Sequence, residues 1–367
     1  MKLSRFMAIL ILVAILGTSV LACAQPSAPA APAKTPPAAS TPAAATSVTP
    51  IQTSTPTPEP AKTATPESAT AAPVGTVRSE ERTFSFTTVD FLGANSTSPR
   101  GINVGGDIVG QYVDASNISH GFALSKGKFS TIDFPGDLRS TIATAISPTG
   151  DIVGQYQLKS EPANMTHGYL LTKKGEWKPV DYPAGGPLMT GPFRILPDGT
   201  IIGCVHTDPL PGGMHGFSMG TQGLSLFDQP SSMHMGATPD GKTFVGYYTA
   251  TNTTGGYGTG AITRGYVLDK GRFIPFDAPN SKLTQAMDVN SARVVAGLYT
   301  DLAGKIHGFM VEARNSVVAD WQFTTIDYPG ATLTRVFGID DGGNIVGIYI
   351  DAAGKTHGFL ANPNTKN

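Results

Sequence analysis

Charge is scarce in this chain: 14% of its 367 residues are Asp, Glu, Lys or Arg, and the formal net charge is -1, against roughly a quarter charged in an ordinary globular protein. So neutral a chain does not seek polyanions, and nucleic acid is excluded as an expected partner. Cysteine is scarcer still, with only Cys23 and Cys204, so no disulfide framework supports the fold. Aromatic residues make up 8%. What abounds is glycine, at 43, and proline, at 29, together about a fifth of the chain, while 40% hydrophobic content still allows a sizeable core. That balance favours turn-rich β structure over helical bundles.

Lys2 and Arg5 precede an uncharged run from Phe6 to Ala22, shorter than the roughly 20 residues a membrane-spanning helix needs. The pattern predicts an export signal over residues 1–22. It ends Val20-Leu21-Ala22-Cys23, which resembles the bacterial lipobox, although Leu21 stands where that motif usually has a small residue. The resemblance implies a diacylglycerol on the Cys23 thiol; plain cleavage nearby with Cys23 incidental is the alternative. With Cys23 acylated, Cys204 is alone, and its apolar neighbours Ile201, Ile202 and Val205 make it a small buried hydrophobe. Residues 23–79 read as a disordered linker. From Ala24 to Val77 they hold twelve of the prolines and no aromatic residue, so they cannot bury a core.

From residue 80 to 367 the chain repeats itself. His120-Gly121-Phe122 recurs as His167-Gly168-Tyr169, His215-Gly216-Phe217, Arg264-Gly265-Tyr266, His307-Gly308-Phe309 and His357-Gly358-Phe359. An apolar strand ending in glycine precedes each copy, as in Ile108-Val109-Gly110 and Ile345-Val346-Gly347. An aspartate element brackets each copy, at Asp90, Asp133, Asp181, Asp228, Asp277 and Asp327. About 48 residues per unit accommodate four short strands, which predicts an all-β, six-bladed propeller of four-stranded blades. The first aspartate element has no His-Gly strand before it, and the last His-Gly strand has no aspartate element after it. Residues 84–91 are therefore expected to supply the last blade's fourth strand and close the ring.

The sequence Gly-Ile-Asn, Gly-Asp-Ile-Val-Gly, Tyr-x-Asp and His-Gly-Phe, read from Gly101 to Phe122, resembles the bacterial extracellular repeat called HAF. It departs by carrying Gly where that family often has Ala. The resemblance covers residues 84–361 and implies a secreted or surface β-repeat protein, with no defined catalytic activity to carry over.

His120, His167, His215, His307 and His357 recur in nearly every unit, and a residue needed by every blade serves structure first. Asp114, Asp301 and Asp351 lie six residues before their histidines, within reach of such bracing, and Arg264 can replace the imidazole as a donor. The repeated aspartates are expected to cap turn amides, or else to ring the channel mouth with charge. Single histidines on separate blades do not converge on one ion, so neither a metal nor another cofactor is expected. No nucleophile elbow, phosphate loop or metalloprotease helix is present, and no catalytic residue is assigned.

Aligning the first strand of each unit by its following turn places Gly101, Ala145, Arg194, Gly236, Asp288 and Gly338 at one position. Arg194 and Asp288 break the pattern of small residues, as ligand contacts, as a salt bridge or as channel lining. With His234 and Tyr257 they form the candidate ligand-binding set. That set is expected on the face where the loops after the aspartate elements and before the His-Gly elements open. The function expected is a lipid-anchored, surface-displayed binding or scaffold propeller, monomeric, facing outside the cytoplasm. Its partner would be a polysaccharide, a peptide or an envelope protein. The alternative is an extracytoplasmic hydrolase or lyase acting on a sugar or lactone at the channel mouth.

Overall fold

A computed structural model describes residues 83–182, 189–206, 213–221, 223–227, 231–250 and 262–364. The export signal, the linker, Cys23, Asp228 and Tyr257 lie outside the described residues. No helix among the described residues is long and apolar enough to cross a membrane.

The strands follow the repeat. β1 (Phe84–Val89) precedes unit 1, which comprises β2 (Ser96–Ile102), β3 (Ile108–Val113), β4 (Ser119–Ser125) and β5 (Lys128–Ile132). Unit 2 has β6 (Leu138–Ile146), β7 (Ile152–Leu158), β8 (His167–Leu171) and β9 (Trp177–Pro179). Unit 3 has β10 (Met189–Ile195), β11 (Ile201–His206), β12 (Met214–Gly220) and β13 (Gly223–Leu226). Unit 4 has β14 (Ser232–Ala237), β15 (Thr243–Ala250), β16 (Ile262–Asp269) and β17 (Arg272–Phe276). Unit 5 has β18 (Ser281–Val289), β19 (Val294–Asp301), β20 (Ile306–Glu312) and β21 (Phe323–Ile326), and unit 6 has β22 (Leu333–Ile339), β23 (Ile345–Ile350) and β24 (Thr356–Pro363).

Each unit is an antiparallel meander, and a single parallel pairing of Ser119 with Ser140 ties unit 1 to unit 2. The fourth strand of unit 6 is β1, which pairs with β24 from Phe84 opposite Pro363 to Val89 opposite Gly358. The first strands meet one another in the order β2, β6, β10, β14, β18, β22 and back to β2. Six four-stranded blades among the described residues thus surround one axis, the all-β propeller that the repeat predicts.

Local chemistry explains the repeated residues. In all six units the first strand bulges at the same place, at Arg100, Thr144, Phe193, Met235, Met287 and Phe337, each left without a partner across the strand pair. A bulge sharpens the local twist. The glycine ending each apolar second strand lies under the aromatic ring of the third. A Cβ on Gly203, Gly246 or Gly347 would fall on a carbonyl oxygen of the first strand, with Phe217, Tyr266 or Phe359 pressing from above. The glycine after the repeated histidine is equally confined: a Cβ on Gly358 or Gly168 would run into Pro99 or Pro192 of the next blade.

A further repeated element, a threonine early in the first strand of five of the six units, is not among the residues the sequence reading singles out. The hydroxyls of Thr97, Thr141, Thr190, Thr284 and Thr334 accept the amide N–H that follows the aspartate of the preceding unit. Three of those amides belong to aromatic residues that stack on the next blade's tyrosine: Phe91 on Tyr112, Phe134 on Tyr156 and Tyr328 on Tyr349, with centroids 3.6–3.8 Å apart. Consecutive blades are thereby joined by a hydrogen bond and a ring stack as well as by apolar packing.

Candidate functional site on the ring axis

The repeated histidines and aspartates hold each other. His120 Nδ1 lies 2.9 Å from Asp133, His167 Nδ1 3.0 Å from Asp181, His307 Nδ1 2.9 Å from Asp327 and His357 Nδ1 2.6 Å from Asp90. On its other side each ring faces a carboxylate six residues earlier: Asp114, Glu161, Asp301 or Asp351. Arg264 grips Asp277 with two nitrogens, and His215 Nδ1 lies 3.3 Å from the Phe227 carbonyl. The aspartates also cap amides, as the Gly168 and Gly358 N–H groups show. Burial opposes a charge on His167, but Asp181 and Glu161 outweigh it and raise its pKa. These clamps sit on separate blades, and no group of three or more His, Cys, Asp or Glu among the described residues could hold a metal ion.

Arg194 and Asp288 meet as a salt bridge, one of the readings the sequence left open. Arg194 Nη1 lies 2.9 Å from Asp288 Oδ2, and the side chains are 15% and 5% exposed. The contact spans unit 4 because the aligned residue of β14 is Gly236, where a Cβ would meet Asp288 at 2.7 Å. Asp288 also accepts N–H bonds from Val289 and Ile339, so it ties units 3, 5 and 6 together. Burial raises its pKa against the opposing pull of Arg194 and the two amides. We expect Arg194→Ala to strand this carboxylate and lower stability by about 2 kcal/mol in urea unfolding. That is less than a fully buried pair loses, because the two amides remain. The Arg194→Ala/Asp288→Ala double variant should lose less than the two single losses together.

One of the expected contacts does not join that pair. His234 is 4% exposed, with Nδ1 2.6 Å from Tyr266 Oη, whose hydroxyl donates to the Met233 carbonyl. It packs against Gly216 of unit 3 and lowers its pKa to about 4 through burial, which makes it a neutral core histidine. Tyr257 lies outside the described residues. The cavity that Arg194 lines, about 110 Å³, opens at the end of the axis opposite the expected face. Its wall includes Asn103, Pro148, Pro197, Pro239 and Asp341 from the turns after the first strands. A cavity does open on the expected face, between Asp90–Ala94 and Lys355–Thr356, at the junction of units 6 and 1.

The axis itself is divided. Met233, Met235, Tyr247, Met287, Leu298, Phe337 and Ile348 form one continuous apolar cluster running across units 4 to 6, and Cys204, Met189 and Met214 extend it into unit 3. Met233 and the bulge residues Met235, Met287 and Phe337 come from the first strands, and Cys204, Tyr247, Leu298 and Ile348 each follow the second-strand glycine. The equivalent positions in unit 1 are Ser98, Arg100 and Gln111, and in unit 2 Ile142, Thr144 and Gln155. One flank of the axis is therefore methionine-rich, and the other is polar and cationic. The Arg100 guanidinium lies 4.4 Å over the Phe337 ring, where the two flanks meet.

No protein-family model matches the chain, and no curated protein matches it. Solved structures similar to it include TolB from Acinetobacter baumannii, 11% identical over 71% of this chain and 64% of that one, with a TM-score of 0.44. The β-propeller domain of the Trilobed protease from Pyrococcus furiosus is 12% identical over 74% and 81%, with a TM-score of 0.46. An Aleuria aurantia lectin in complex with alpha-methyl-L-fucoside is 10% identical over 76% and 96%, with a TM-score of 0.42. The chain spans less than two thirds of the TolB chain. The likeness is one of fold.

Proposed function

We propose that this chain is an exported, lipid-anchored binding propeller, held to the cell envelope through Cys23 and residues 23–79 and displaying its ring outside the cytoplasm. The observation that carries the reading is broken symmetry at the axis. Six blades repeat one set of bracing residues, yet their axial positions differ from blade to blade, with Arg100, Gln111, Arg194, Asp288 and Arg335 set among Met and Phe. Repetition suffices for folding, so residues that depart from it where six strands converge suit a single ligand. The HAF-like elements support a surface location.

Two measurements on the full chain test this reading. Cys23→Ser should move the protein from the membrane fraction to the soluble one, with no change in melting temperature. The wild-type chain should retain polysaccharide extracted from a bacterial envelope while leaving its chain length unaltered. Equal fractionation of wild type and variant would remove the anchor. Shortened polymer would replace binding with a hydrolase or lyase activity.

A further inference from the structure

Arg100 on β2 and Arg335 on β22 stand on the adjoining first strands of units 1 and 6, near enough for their charges to repel, and no carboxylate pairs with either among the described residues. Both keep part of their surface exposed, yet the Nε atom of each is covered and without a hydrogen-bond partner. Beside them, Ser98 and Gln111 stand opposite each other on β2 and β3. Each is 7% exposed, and their Oγ and Oε1 atoms are also without partners. Four orphaned polar atoms in one sector are uncommon, because buried polar groups in native proteins are nearly always satisfied. Two like charges held together without a counter-charge are costly besides.

We propose that this sector is the seat of a hydroxylated carboxylate, whose anionic oxygens lie between the Arg100 and Arg335 guanidinia and whose hydroxyl donates to Gln111. The inference rests on the binding reading above and names the chemistry of its ligand. Each orphan specifies one part of that chemistry. An Nε–H is a donor, so two of them call for an oxyanion, which guanidinium forks hold with paired hydrogen bonds. Gln111 Oε1 is an acceptor only and calls for a donor on the same ligand, which sulfate lacks at neutral pH and a sugar acid or hydroxy acid has. Phe337, under Arg100, offers an apolar wall to the carbon skeleton. Electrostatics agree: burial, then repulsion from Arg335, lowers Arg100 to about 10, with Tyr247 partly offsetting both, and burial lowers Arg335. An anion would relieve both.

The probes are methyl β-D-glucuronide, D-gluconate, methyl β-D-glucoside and sodium sulfate, each titrated calorimetrically into the full chain. The glucuronide or the gluconate should bind, the neutral glucoside should not, and Arg100→Gln and Arg335→Gln should each weaken binding at least about tenfold. A preference for glucuronide marks a uronate residue of an acidic polysaccharide as the source, and a preference for gluconate marks a free hydroxy acid. A second readout needs no ligand: Arg335→Gln should melt higher than wild type, because it removes an uncompensated charge from a site kept for binding. Binding of sulfate alone, or of the organic anions with equal affinity to wild type and both variants, would overturn the proposal. So would a lower melting point for Arg335→Gln, which would mark the pair as structural. If envelope polysaccharide is retained but neither organic anion binds, the ligand class is wrong and the binding reading stands; if nothing is retained, the binding reading itself fails.

Discussion

Deleting residues 80–95 from the full chain is expected to lower its melting temperature by of order 10 °C. The deletion removes β1, the outer strand of the last blade, and with it a ladder of six residue pairs. It also takes Phe86, packed 5.6 Å from Phe359 and 5.2 Å from Tyr328, and Asp90, the partner of His357 and of the Gly358 N–H. What remains of unit 6 is three strands with β24 as an open edge, a template for pairing with another chain. The truncated protein should therefore also aggregate on heating at concentrations where the intact one stays clear. Deleting residues 24–75 should leave the melting temperature unchanged, since that composition buries no core. Equal melting of the two truncations would show that the ring does not depend on this strand.

The second large effect is an acid transition set by His234. Its pKa is about 4 in the folded protein and about 6.5 unfolded, so between those values the unfolded chain binds more protons. Stability is fully present above about pH 6.5 and falls as the pH drops toward 4, by about 3 kcal/mol in all. His167 acts in the opposite sense. Its raised pKa makes its contribution complete below about 6.5 and lost as the pH climbs through the folded value. Chemical unfolding at a series of pH values separates the two. His234→Gln should flatten the acid limb, and His167→Gln should flatten the alkaline one. An unchanged acid limb in His234→Gln would mean that the histidine is hydrated rather than enclosed.

Much of this architecture was legible because each unit declares its strands with a glycine, a His-Gly pair and an aspartate, and because the first and last units are cut at complementary points. The pairing of His with Asp was less visible. Each residue was read against its near neighbours, whereas His120 and Asp133 are brought together by a hairpin and His357 and Asp90 by closure of the whole ring. The axial residues were hidden by the bulge. Alternation of side chains along a strand breaks where one residue is left unpaired, so aligning the units on Arg194 and Asp288 passed over Arg100 at the preceding position and Arg335 three positions before Gly338. His234 looked like a symmetry-breaking surface residue, yet its place on β14 turns it against Gly216 of the neighbouring blade, where Tyr266 of its own blade satisfies it.

The pairing of β1 with β24 also dictates an order of events in folding. The two strands lie about 270 residues apart, so joining them in an otherwise unfolded chain would cost of order 5 kcal/mol in loop closure, more than one short ladder returns. Once the intervening blades have formed on their local contacts, the same ends are brought side by side and that entropy has already been spent. The strand made first is thus the last to dock. Until β24 arrives it waits unpaired, and synthesis must run past β24 before the ring can shut.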